Sequence, residues 1–186
     1  MHTTRNMTFG VLACVAALAR PAHAEELLLD AGTRQLGGQA SVKVSHSTQG
    51  SAETATHVSL TPGAGWFVAD GLELRVGLGF DLLLENGHSN NGVAVWGDVG
   101  VRWFYRGLGS IVPYVGAGLG PTAAFTNTDD TAVTLALSAP LGVLFALNRH
   151  VGLDVGARFE VDFGLKNSQG TTLQLALGYV GVQAFF

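Results

Sequence analysis

From Leu72 to Glu85 the chain reads L-E-L-R-V-G-L-G-F-D-L-L-L-E. Every even position is a large apolar residue, whereas the odd ones are Glu73, Arg75, Gly77, Gly79, Asp81, Leu83 and Glu85. Successive side chains of a strand point to opposite faces. A strand here has one continuous apolar face and one face of charges and glycines. No helix can segregate this pattern, because its period is two rather than 3.6.

The same alternation recurs along the chain and predicts eight strands. They run from about Thr33 to His46, Thr56 to Val68, Leu72 to Glu85, Val93 to Tyr105, Ile111 to Phe125, Thr131 to Leu147, Val151 to Phe163 and Thr171 to Phe186. Short turns at Ala69-Asp70-Gly71, Arg106–Ser110 and Asn148-Arg149-His150 alternate with longer polar loops at 47–55, 86–92, 126–130 and 164–170. Whether Arg34–Gly38 joins the first strand is left open by the pattern.

The polar face identifies the solvent of the apolar one. Val93, Val95, Val99, Val101, Trp103 and Tyr105 share one parity, and Ala94, Trp96, Asp98, Gly100, Arg102 and Phe104 the other. A water-facing surface would favour lysine, glutamate and threonine over glycine, which weakens strands. Glycine suits the crowded interior of a narrow barrel. Charged residues make up only 13% of the 186-residue chain, too few to cover a soluble protein of this size. The apolar face therefore meets lipid. A membrane sheet must close, because lipid cannot satisfy an open edge. The reading is an all-β, eight-stranded antiparallel up-and-down transmembrane β-barrel.

The inward parity collects Lys43, Glu73, Arg75, Asp81, Asp98, Arg102, Asp154, Arg158, Glu160 and Asp162. A buried charge left unpaired costs several kcal/mol, so these predict an interior charge network with trapped water. Gly77, Gly79, Gly100, Gly116, Gly118 and Gly120 on the same face leave two possibilities, a narrow water-filled passage or a plugged interior. Aromatic residues gather at strand ends, as interfacial girdles do: Trp66, Trp103, Tyr105, Phe145 and Phe185 or Phe186 at the short-turn end, and Phe80, Phe125 and Phe163 toward the loops. The last strand changes parity. Either a bulge near Gly181 switches its register, or the strand stays regular and Phe185 faces lipid.

Residues 1–24 form a secretory signal peptide, with Arg5, an apolar run from Met7 to Ala19 and a small-x-small site at Ala22-His23-Ala24. The mature barrel domain is 25–186. Cys14, the single cysteine, falls in the apolar run, so no disulfide or cysteine-ligated metal is expected. The net charge of −4 offers no basic patch for nucleic acid.

With Ala22-His23-Ala24, eight alternating strands, the terminal Phe186 and the segments P-G-A-G-W-F-V-A-D-G-L (Pro62–Leu72) and P-Y-V-G-A-G-L-G (Pro113–Gly120), the chain resembles the small outer-membrane β-barrels of Gram-negative bacteria, of the OmpA-barrel and OmpX type. The resemblance implies export to the outer membrane, lipid and lipopolysaccharide as surroundings, and the barrel assembly machinery as partner. Phe186 would then be part of the assembly signal. It also implies a monomer with no cofactor and a structural or surface-interaction role. The sequence stops at Phe186, so the peptidoglycan-binding domain of larger relatives is not expected.

Two other functions stay open. A narrow passive pore for water, ions or small solutes would use the inner glycines. A lipid A-modifying enzyme would need a base, a nucleophile and an orienting acid. His88, Ser89 and Glu85 are the candidates, although His88 and Ser89 are adjacent in a polar loop rather than two apart on a strand. His46 and His57 could approach across the first loop, and Asp129-Asp130 could hold a cation, but neither set has the further ligands a metal site needs. The reading is of a barrel without catalysis, cofactor or metal.

Overall fold

The computed structural model describes residues 26–46, 54–85, 92–125, 131–166 and 171–186. The eight strands are β1 (Arg34–His46), β2 (Thr54–Ala69), β3 (Leu72–Glu85), β4 (Gly92–Phe104), β5 (Ile111–Phe125), β6 (Thr131–Asn148), β7 (Val151–Lys166) and β8 (Thr171–Phe185). Each pairs antiparallel with the next, and β8 pairs with β1, so the sheet closes. The closing ladder runs from Gln35↔Phe185 to Ser41↔Tyr179, and over that stretch neither β1 nor β8 is an open edge. β1 begins at Arg34, which brings Arg34–Gly38 into the strand.

The short turns carry their own chemistry. Gly71 and Gly109 adopt φ of 71° and 64°, values that favour glycine. At the third turn Asn148 Oδ1 accepts the His150 N–H at 2.8 Å, a turn-forming side-chain bond.

Alternation is maintained, and its sense is the inverse of a water-soluble protein. Glu73 is 0% exposed, while its neighbour Leu74 is 47% exposed. Arg102 is buried between exposed Val101 and Trp103. Leu36, Leu60, Val76, Leu78, Val99, Val115, Leu119 and Val182 stand outward around the wall. Trp66, Trp103, Tyr105, Phe80, Phe125 and Phe163 are exposed on the same outer surface, and Phe145 is half-buried.

β8 carries a bulge. Arg158 pairs with Ala176 but Gly156 pairs with Tyr179, so Leu177 and Gly178 together oppose Ala157. Gly178 takes a φ of 90° there. The parity switch thus lies at Gly178, three positions before Gly181. Beyond it, Tyr179, Gly181, Gln183 and Phe185 point inward. Phe185 is buried, so it leaves the girdle, and its neighbour Phe186 is exposed beside Trp66, Trp103 and Tyr105 as an aromatic of that end.

The short-turn end is closed by an apolar floor. Leu27 and Leu29 enter the barrel mouth and join Phe67, Phe104, Val112, Leu144 and Phe185 in one buried cluster. The Phe67 ring centroid lies 5.5 Å from that of Phe104 and 6.2 Å from that of Phe185. Backbone bonds hold the entering segment. Leu28 N–H donates to the Arg149 carbonyl at 3.1 Å, and Gly71 N–H to the Leu29 carbonyl at 2.8 Å. Gly32 N–H donates to the Phe67 carbonyl and Phe67 N–H to the Thr33 carbonyl. Leu29→Ala is expected to cost about 2–3 kcal/mol, within the range for truncating a buried leucine, measured as a urea-unfolding shift in lipid vesicles. By contrast, Arg106 pairs with Asp30 at 2.9 Å where both are partly exposed. Arg106→Ala should change stability by less than about 1 kcal/mol, as exposed ion pairs do.

Candidate functional site

The candidate site is the barrel interior above the floor. Asp154 of β7, wholly buried, is its hub. It accepts hydrogen bonds from Tyr114 Oη of β5 at 2.7 Å, Gln39 Nε2 of β1 at 2.7 Å and Gln183 Nε2 of β8 at 3.0 Å. Arg102 Nη1 of β4 lies 3.7 Å from the same carboxylate. One side chain therefore brings together residues of β1, β4, β5, β7 and β8. Tyr179 Oη hydrogen-bonds Tyr114 Oη.

Arg102 extends this cluster to β3. Its Nε donates to Glu73 Oε2 at 2.6 Å with both side chains buried. Its guanidinium also stacks over Phe104 and Tyr114, at 5.2 and 5.3 Å from the ring centroids. This is a charge that is paired, hydrogen-bonded and in cation–π contact at once. The Gln35 amide lies between Glu73 and Gln183.

Toward the loop end the chemistry is looser. The Arg75 guanidinium and the Asp98 carboxylate both lie over Gly77. The Arg158 guanidinium sits 5.0 Å from the Trp96 ring centroid. Asp162 is buried, and Asp81 and Glu160 are half-buried. Asp81 Oδ1 and Asp98 Oδ1 are shielded from solvent without a hydrogen-bond partner among the described residues. Buried polar atoms of this kind are served by ordered water.

Inward glycines are sockets for the neighbouring strand. Gly79 pairs with Trp96, Gly77 with Asp98, Gly142 with Tyr114, Gly156 with Tyr179 and Gly37 with Gln183. A Cβ at any of them would collide with the side chain directly opposite. Their missing side chains make room for the large one across the ladder. Gly116 and Gly118 serve Arg102 and Ser138 in the same way.

Of the residues expected inside, Glu73, Arg102 and Asp154 form one cluster, and Arg75 and Asp98 share a second position. Lys43 is placed by backbone only, paired with His57. The side chains of His46, His57 and Glu85 lie outside the described residues, as do His88, Ser89, Asp129, Asp130 and residues 1–24, where a leader is expected. The sequence reading missed Gln35, Gln39, Gln183, Tyr114 and Tyr179. The signal that could have found them is parity, since Gln35 and Gln39 flank Gly37 on one face and Tyr114 lies inward beside Val115. Among the described residues no three histidines, cysteines or carboxylates are arranged to hold a metal ion. His150, at the short-turn end, places Nδ1 2.8 Å from the Phe185 carbonyl.

No protein-family model matches the chain, and no curated protein does. Several solved structures are similar to it, two of them as follows. Neisserial surface protein A (NspA) matches with a TM-score of 0.64 at 19% identity, covering 84% of this chain and 98% of that one. The outer membrane protein OprG from Pseudomonas aeruginosa matches with a TM-score of 0.54 at 13% identity, covering 87% and 99%. At these identities the likeness concerns architecture, and it is shared over nearly the full length of each barrel. The chain has the fold of these small bacterial surface and outer-membrane barrels.

Proposed function

We propose that this chain is an integral outer-membrane barrel whose body is a sealed scaffold holding its longer loops at the cell surface, without catalysis. The observation that carries this reading is the inversion of polarity. An apolar belt faces outward, while Glu73, Arg75, Arg102, Asp154, Arg158 and Asp162 are buried. Such a surface is stable only in hydrocarbon. The leader 1–24 would be removed on export, and lipid and lipopolysaccharide would surround a monomer.

The sealed interior is supported by the Leu27–Leu29 floor and by the filled glycine sockets. A narrow pore would need a continuous path past both. Phe186, exposed beyond β8, is available to the barrel assembly machinery as a recognition signal. Phe186→Ala is expected to lower the yield of assembled barrel in the outer membrane several-fold, read by heat-modifiable gel mobility of membrane fractions. An unchanged yield would remove that role.

Fractionation after expression with the leader tests the membrane reading. The protein should sediment with the outer membrane and need detergent for extraction. Recovery as a detergent-free soluble protein would contradict it. Lipid A from the same cells should have unchanged mass, and a mass shift abolished by His88→Ala would favour the enzyme instead.

A further inference from the structure

The outer wall is not uniform. Four prolines lie inside strands; Pro113 pairs with Val143 in an unbroken stretch, whereas Pro62, Pro121 and Pro140 each coincide with a two-residue gap across which the ladder keeps its register. β2 and β3 pair at Leu60↔Phe80 and again at Gly63↔Gly77, with no pairing at Thr61 and Pro62. β4 and β5 pair at Trp96↔Thr122 and again at Val99↔Leu119, skipping the level of Pro121. Pro140 does the same between β5 and β6. Proline has no N–H to give the ladder, which is why it is normally kept to edges and bulges. In a closed barrel there is no edge to hold it.

The gaps at Pro62 and Pro121 flank the β3–β4 pair near mid-height. Between them lies Gly97, an outward position without a side chain, paired with Leu78. The result is an apolar groove of about 600 Å³, lined by Leu78, Val99, Leu119, Ala64 and the two prolines among others. It is cut deep enough that the inward-facing Gly77 and Gly120 also line it.

We propose that this groove holds one acyl chain of a membrane lipid, lying against Gly97 between the proline-marked gaps. The proposal rests on the membrane reading above. Leu78, Val99 and Leu119 are each half or more exposed and belong to the apolar belt, so the groove is continuous with the surface that lipid covers. Left unfilled, its lining would lose dispersion contacts on one side. A second copy of the barrel is convex where the groove is recessed, and only side-chain tips could enter. A slender hydrocarbon chain matches both depth and polarity. The volume lies within the roughly 300–1,000 Å³ typical of built ligand sites.

Gly97→Leu is the direct test. A Cβ at Gly97 would meet its nearest neighbours, the Gly77 carbonyl oxygen and Leu78 Cδ2, at 3.7 Å, which is ordinary contact. The variant should therefore fold, with heat-modifiable mobility as the check. Ala64→Leu fills the groove from the opposite wall if Gly97→Leu does not fold. The full-length protein is reconstituted into dimyristoyl phosphatidylcholine vesicles, released in mild detergent and weighed by native mass spectrometry. The wild type should retain one lipid per monomer, and the filled variant at least fivefold less. Equal retention, or none in the wild type, overturns the proposal. A wild-type dimer that Gly97→Leu dissociates overturns it in favour of a second copy. Failure to enter the vesicles at all overturns the membrane reading with it, and is seen before any lipid is counted.

Discussion

Arg102→Ala is expected to destabilise the barrel by about 3–5 kcal/mol, the cost of removing one partner from a buried ion pair. Glu73 is 0% exposed and relies on Arg102 Nε at 2.6 Å. Asp154 would keep its bonds from Tyr114, Gln39 and Gln183 but lose its nearby positive charge. Phe104 and Tyr114 would lose the guanidinium packed on their faces. The measurement is urea unfolding in lipid vesicles followed by tryptophan fluorescence. The double variant Glu73→Gln/Arg102→Met should recover most of the loss, because it removes both charges rather than stranding one. A single-variant midpoint equal to wild type would show that the pair does not hold the interior together.

Gly120→Ala should be comparably damaging, at about 3 kcal/mol or more, toward the upper end for overpacking. An added Cβ there collides with the Gly97 carbonyl oxygen and would come within 2.8 Å of Asp98 Cα. Backbone cannot rotate aside as a side chain can. The nearby Gly97→Ala is the control, since its Cβ points outward into open contact. It should change stability by no more than about 0.5 kcal/mol, as surface substitutions usually do. Two glycines one residue apart in level on neighbouring strands thus face opposite sides of the wall and differ in cost. The same unfolding assay reads both, and equal destabilisation would contradict the register described here.

Much of the wall was legible in the sequence. The alternation in Leu72–Glu85 and Val151–Phe163 specified both strands and which of their residues turn inward. Period two is local information, and it survives along β3, β4, β5 and β7 in the described residues. What the alternation does not carry is register. It put Gly79 and Trp96 on the inner face, but only the pairing of β3 with β4 sets one against the other. For that reason the inner glycines left both a passage and a plugged interior open, with only the strand number favouring the plug. The Asp154 hub was hidden for a related cause, because its partners Gln39, Tyr114 and Gln183 lie 115, 40 and 29 positions away. Leu27-Leu28-Leu29 has no alternation, so nothing local marks it as a floor. The Gly178 bulge moved Phe185 from the girdle to the core. A single extra residue reverses every parity after it.

The proposed sealed barrel requires that charge pairs, socketed side chains and the leucine floor leave no continuous path through it. Planar-bilayer recording of the purified, refolded protein tests it most directly. Inserted protein, verified by its heat-modifiable mobility, should give no unitary conductance above the bare membrane. Stable, reproducible current steps from the wild-type barrel would contradict the sealed interior.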